Sequence, residues 1–125
     1  MALVQLVYVS RREPWLTAPE LERIVAASAA NNQRRNITGA LIAGTGSIVQ
    51  VIEGEASEVE MLFERIRCDR RHTNVRRILF TEIAERLFPT SGMQLVRAGT
   101  REARKILKQL AVLNVADIGE LSRAA

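Results

Sequence analysis

Ile37-Thr38-Gly39-Ala40-Leu41-Ile42-Ala43-Gly44-Thr45-Gly46-Ser47-Ile48-Val49-Gln50-Val51-Ile52-Glu53-Gly54 is the segment whose reading decides the fold. Two apolar runs flank Gly44-Thr45-Gly46-Ser47, the composition of a hairpin turn. Each run is too short for a helix, and the Ile and Val content favours strands. Alternation along the second run puts Ile48, Gln50 and Ile52 on one face and Val49 and Val51 on the other. Gln50 thus occupies the middle of a strand that reads as buried on both sides. A carboxamide there needs hydrogen-bond partners, since each unmet group costs on the order of 1–3 kcal/mol.

Working outward, Leu3 to Ser10 reads as a strand with Leu6, Tyr8 and Ser10 on one face and Val7 and Val9 on the other. A polar loop, Arg11 to Leu16, carries the only tryptophan, Trp15. Thr17-Ala18-Pro19-Glu20 is a capping box that starts a helix. Its apolar stripe, Leu21, Ile24 and Val25, turns polar at Ser28 and ends in Asn31 and Asn32; C-capping is the simple reading of one such Asn. Beyond the hairpin, Ser57-Glu58-Val59-Glu60 reads as a second capping box. The stripe that follows, Val59, Leu62, Phe63 and Ile66, ends at Asp69 with Arg65 beside it, an i, i+4 ion-pair spacing. Two helices that become polar at the same end, packed side by side, would form a groove suited to a flat heterocycle with polar edges and a phosphate tail.

Asn74 to Ala84 reads as a further strand and Met93 to Ala98 as the last. Thr100 caps an amphipathic helix bearing Ile106, Leu107, Leu110 and Leu113, and a short helix near 117–123 can follow. The order β-α-β-β-α-β-β is a ferredoxin-like α+β plan: a five-stranded mixed sheet with two helices on one face, plus C-terminal helices. Two helices cover only one face, so the C-terminal helices or a second subunit must cover the other. Residues 1–98 form the expected main domain and 99–125 a helical extension.

The 125 residues suit one domain, with 47% hydrophobic and 26% charged residues. No apolar run approaches the ~20 residues of a membrane span. A single cysteine, Cys68, excludes an intramolecular disulfide and suits a reducing cytoplasm, the expected location. One His and one Cys argue against a zinc site. The net charge of +4 comes from scattered arginine pairs, and aromatics are only 4%, which speaks against nucleic-acid binding.

Several segments also match a family. Leu6-Val7-Tyr8-Val9-Ser10, Ser28-Ala29-Ala30-Asn31-Asn32, Asn36-Ile37-Thr38-Gly39, Val49-Gln50-Val51-Ile52-Glu53-Gly54, Asp69-Arg70-Arg71-His72 and Ile83-Ala84-Glu85-Arg86-Leu87-Phe88-Pro89, leading to Met93, resemble the BLUF domain, the blue-light sensor that uses FAD. The resemblance covers about Leu3 to Arg97. It implies that Tyr8 is the electron donor to the excited flavin and that Gln50 bridges Tyr8 and the ring. By the same token Asn32, with Asn31 beside it, holds the carbonyl edge. Arg65 and Asp69 contact the ribityl-phosphate part, Ile24 and Ile66 complete the binding set, and Met93 carries the signal out. Many members have tryptophan where this chain has Ser91, which leaves the neighbour of Gln50 and the signal's exit route as questions for the structure. The implied protein is not an enzyme but a sensor that acts on a downstream protein and assembles as a homo-oligomer, with no membrane and no nucleic acid. Two alternatives share the ferredoxin-like plan. A small phosphatase would need a phosphate-cradling loop after strand one, and Arg11-Arg12-Glu13-Pro14 has no glycine to form it. An RNA-binding sheet would need exposed aromatics, of which Tyr8 alone is not a platform.

Overall fold

The computed structural model describes residues 2–90 and 92–110. Strands β1 (Leu3–Arg12), β2 (Thr38–Ala43), β3 (Ser47–Glu55), β4 (His72–Glu82) and β5 (Gln94–Arg97) form one sheet in the order β4-β1-β3-β2-β5. Helices α1 (Ala18–Arg34), α2 (Ala56–Arg67) and α3 (Arg101–Gln109) interleave to give the ferredoxin-like order, continued by α3. All strand pairs are antiparallel except β2–β5, so the sheet is mixed. The β2–β3 hairpin closes across Gly44 and Ser47, whose backbone N–H and carbonyl pair at 2.9 Å.

Alternation decides what each face carries. Leu6, Tyr8 and Ile52 point toward α2, with Val59 and Phe63 packed on them. Leu41, Ile48 and Met93 point toward α1, with Leu21 and Val25. Val7, Val9, Val49 and Val51 point the opposite way and meet Ala103, Ile106 and Leu107 of α3 and Leu110 at its C-terminal cap. The second face is therefore covered in cis by the first C-terminal helix. Leu107 is fully buried there, a contribution of roughly 1.5–3 kcal/mol from one side chain. Leu113 and the expected short helix lie outside the described residues.

Several boundaries differ from the sequence reading: β1 runs on through Arg11 and Arg12, and β5 is Gln94–Arg97 rather than Met93 to Ala98. Strand β3 runs through Gly54 to Glu55, and Glu55 rather than Ser57 caps α2, accepting from the Ser57 N–H at 3.3 Å and the Ser57 hydroxyl at 2.6 Å. A carboxylate is the stronger acceptor, and its charge suits the positive end of the helix. Strand β4 spans His72 to Glu82 rather than Asn74 to Ala84, because it pairs with β1 through two register shifts. Asn74 has φ 53°, a left-handed conformation that Asn tolerates better than most residues. The shifts break the two-residue period, so Ile78 and Leu79, consecutive in sequence, both pack against the α3-side core. The α1 capping box forms as expected, Thr17 Oγ1 accepting from Glu20 N–H at 3.3 Å.

Candidate functional site

Helix α2 lies over β1 and β3, and α1 over β2 and β5. Between the two helices is a cavity of about 100 Å³ that opens to solvent. Ile24 and Val25 form one apolar wall, Leu62 and Ile66 the other, and Tyr8, Gln50 and Met93 lie at its floor. Ser28 and Asn32 supply polar groups along α1, while Asp69, Arg71 and His72 close the α2 end. Apolar walls facing each other with polar groups along one edge fit a flat heterocycle, and the charged end fits its polar tail.

The floor is a chain of three side chains. The Tyr8 hydroxyl donates to Gln50 Oε1, and Gln50 Nε2 lies 3.2 Å from Met93 Sδ as its donor. All three residues are buried. Tyr8 stands directly opposite Gln50 in the β1–β3 register, which is why two residues 42 apart in sequence share a hydrogen bond. Burial pushes the Tyr8 phenol well above its ordinary pKa, and the negative charge of Asp69 adds to the effect. The phenol is therefore held neutral and donating.

Asn32 does not cap its helix. Helix α1 continues to Arg34, and the buried Asn32 Nδ2 donates to the Gly92 carbonyl at 3.0 Å, joining α1 to the chain just before Met93. Gly92 packs so closely that a Cβ built there would lie 2.5 Å from the Ala29 carbonyl oxygen. Ile24 and Ile66 line the cavity. Asn31 and Arg65 are exposed, and neither is among the lining residues.

Asp69 pairs with Arg71 rather than with Arg65, through Arg71 Nε at 2.9 Å and the Arg71 backbone N–H at 3.0 Å. The Arg71 hydrogen bond holds the Asp69 carboxyl below its ordinary range. His72 opens β4. Its Nε2 lies 2.9 Å from the Ile66 carbonyl and its Nδ1 2.8 Å from Ser10 Oγ. A carbonyl can only accept, so Nε2 carries a proton. Arg71 and His72 were read from the sequence only as part of the segment Asp69 to His72, with no place in the binding set, and Leu16, another lining residue, was not singled out. A run of charged residues after a helical stripe was the available signal for the first two. Nothing local marked Leu16, which faces the cavity from a loop held by Arg12 Nη2, 2.8 Å from the Leu16 carbonyl.

Tyr8 is 2% exposed, so it offers no stacking platform to RNA. Among the described residues no group of His, Cys, Asp and Glu could hold a metal ion, and no helix is long and apolar enough to cross a membrane.

Residues 3–94 match the family model described as BLUF, sensors of blue-light using FAD. Subunit beta of the photoactivated adenylate cyclase of Euglena gracilis is 32% identical over 114 residues, which span 87% of this chain and 13% of that protein. The chain therefore corresponds to a small part of that relative. A dark-state structure of the BLUF protein BlrB superimposes with a TM-score of 0.80 at 32% identity, covering 97% of this chain and 92% of the other. The photo-activated state of BlsA gives 0.78 at 25% identity, covering 95% and 91%. The matched segment runs through the elements that build the cavity, β1 to the start of β5, and on that ground the chain belongs to the BLUF family, the sensors of blue light using FAD.

Proposed function

We propose that this chain is a light sensor that binds FAD between α1 and α2 and signals through β5 and α3 to a protein partner. The observation that carries the proposal is the buried Tyr8–Gln50–Met93 chain at the cavity floor. Ile24, Val25, Leu62 and Ile66 would sandwich the flat ring system, and Asn32 and Gln50 would meet its polar edge. Asp69, Arg71 and His72 would meet the ribityl-phosphate end. The bound flavin supplies the visible absorption and, when excited, the oxidising power.

Tyr8 would give up an electron, and its hydroxyl proton would leave along the hydrogen bond to Gln50 Oε1. Return of both can leave the Gln50 carboxamide turned end for end. A carboxamide has two ends of similar shape and opposite hydrogen-bonding sense. Once turned, Nε2 faces the Tyr8 oxygen, which can accept, and Oε1 faces Met93 Sδ, which has no proton to give. The Gln50–Met93 contact is therefore made in one orientation and lost in the other. Met93 directly precedes β5, whose Val96 packs in the same core as Ile106 and Leu107 of α3. That pair of orientations is a bistable element of the kind a small population shift can read out. The polar contact to Met93 comes from Gln50 itself, so Ser91 is not needed for this switch.

The test is the absorption spectrum of the purified protein in darkness and under blue light, with the flavin released by denaturation and identified. We expect FAD, a small red shift under light, and its reversal in darkness. Tyr8→Phe should bind flavin and show no shift. A protein that stays colourless after addition of FAD, or a Tyr8→Phe variant that shifts normally, would refute the reading.

A further inference from the structure

Glu53 is a fully buried carboxylate, on the sheet face opposite Gln50. Its Oε1 accepts from the Phe88 backbone N–H at 2.9 Å. Its Oε2 accepts from the Leu87 N–H at 3.1 Å and from Gln5 Nε2 at 2.7 Å. Arg86 donates from Nη1 to Thr38 Oγ1 at 2.8 Å and to the Glu53 carbonyl at 3.0 Å, and from Nη2 to the Asn36 carbonyl at 2.8 Å. Three consecutive residues of the irregular β4–β5 connection are thus fastened to the β2–β3 hairpin. A charged group this deep persists only where several donors meet it.

The same connection is fastened again near its far end. Gly92 is held by Asn32, and Met93 meets Gln50 on the other side of the sheet. Phe88, the last residue of the first attachment, packs in the core with Ile106 and Leu107. The connection therefore passes from the α3 side to the cavity side, with one attachment on each.

We infer that Glu53 is a positioning residue of the photocycle: it fixes residues 86–88 so that Met93 is seated against Gln50, and the lifetime of the light-induced state depends on that seat. The inference rests on the reading proposed above. Gln50 must turn within a packed site to return, and a firmly seated Met93 raises the barrier to turning. If the connection is released at Glu53, Met93 gains room and the return becomes faster.

Glu53→Gln is the variant that tests it, since it conserves volume. Gln5 can turn its own amide to match the new one, but the introduced NH2 then faces the N–H of Leu87 or of Phe88, whichever oxygen it replaces. Arg86→Gln is the second variant, loosening the same segment from outside the buried carboxylate. Each flavin-loaded variant is compared with wild type for flavin affinity, for the size of the light-induced shift, and for the rate of its decay in darkness. A purely structural role would lower affinity and melting temperature and leave the decay rate alone. We expect affinity within about twofold, a retained shift, and decay about tenfold faster, equivalent to about 1.4 kcal/mol off the barrier. Decay within twofold of wild type in both variants would overturn the inference. A wild-type protein with no light response would instead overturn the light-sensor reading. Should Glu53→Gln fail to fold, Arg86→Gln decides alone.

Discussion

Gly92→Ala is the substitution whose outcome follows most directly from the packing. The new methyl group would lie 2.5 Å from the Ala29 carbonyl oxygen, which belongs to the backbone of α1 and cannot swing aside. Reaching the 3.4 Å of ordinary contact requires residue 92 to retreat by about 0.9 Å, a strain of the 1–3 kcal/mol class. Retreat also stretches the Asn32–Gly92 hydrogen bond from 3.0 Å to well beyond bonding range, leaving a buried amide N–H unmet at about 1 kcal/mol or more. The combined loss is about 2–4 kcal/mol, read as a fall in the urea midpoint at unchanged slope. Flavin affinity should fall with it, since Asn32 loses its anchor and Met93 moves with residue 92. Gly46→Ala is the matched control, because a Cβ there meets nothing within 4 Å. It should change stability by no more than about 0.5 kcal/mol. Equal stability of the Gly92→Ala protein and wild type would show that α1 yields, and would refute the claim that residue 92 is wedged against it.

Two titrations test the electrostatics of the cavity. The Tyr8 pKa is raised on folding above its ordinary 10.0, so its contribution to stability is complete below that pH and is lost as pH rises beyond it. Wild type should therefore lose stability relative to Tyr8→Phe in that range, measured by denaturant unfolding. Tyr8 is the single tyrosine, so phenolate absorbance should appear only together with unfolding. Phenolate forming near pH 10 in a folded protein would contradict the burial argument. At the acid end, the Arg71 hydrogen bond lowers the Asp69 pKa below its ordinary 3.8. That contribution is present above this value and is lost as pH falls through the lowered one. The stability gap between wild type and Asp69→Asn should therefore narrow on acidification, by a small amount because Asp69 is partly exposed and screened. A gap that stays constant to pH values well below 3.8 would refute the pairing.

Most of the sheet was legible in the sequence because its signals are short-range. The turn residues at Gly44 to Ser47 and the alternation through Val49, Gln50 and Val51 depend only on neighbours along the strand. The Tyr8–Gln50 pair was legible only through the family resemblance, since a register between distant strands leaves no local trace. The misplaced features are those decided across the fold. Asp69 had two arginines in reach, and the turn after α2 brings its backbone and side chain to Arg71 rather than Arg65. The start of β4 was obscured by register shifts that break the period. Nothing along the strand marked Glu53, because its three donors come from residues 5, 87 and 88. A buried carboxylate is recognisable only once those donors are in place.

The position of β1 inside the sheet, between β4 and β3, has a consequence during synthesis. The hairpin of β2 and β3 joins strands that are neighbours in sequence and can close within microseconds of leaving the ribosome. The strand made first must wait: Leu6 pairs with Phe80 of β4, 74 residues later. At ribosomal rates of about 5–20 residues per second, that interval is roughly 4–15 s. Throughout it the Val4 to Val9 segment, apolar on both faces, lacks the neighbour on its outer edge. Such an edge is a template for pairing with another nascent chain. The strand that later holds Tyr8 thus spends those seconds with an edge open to the wrong partner.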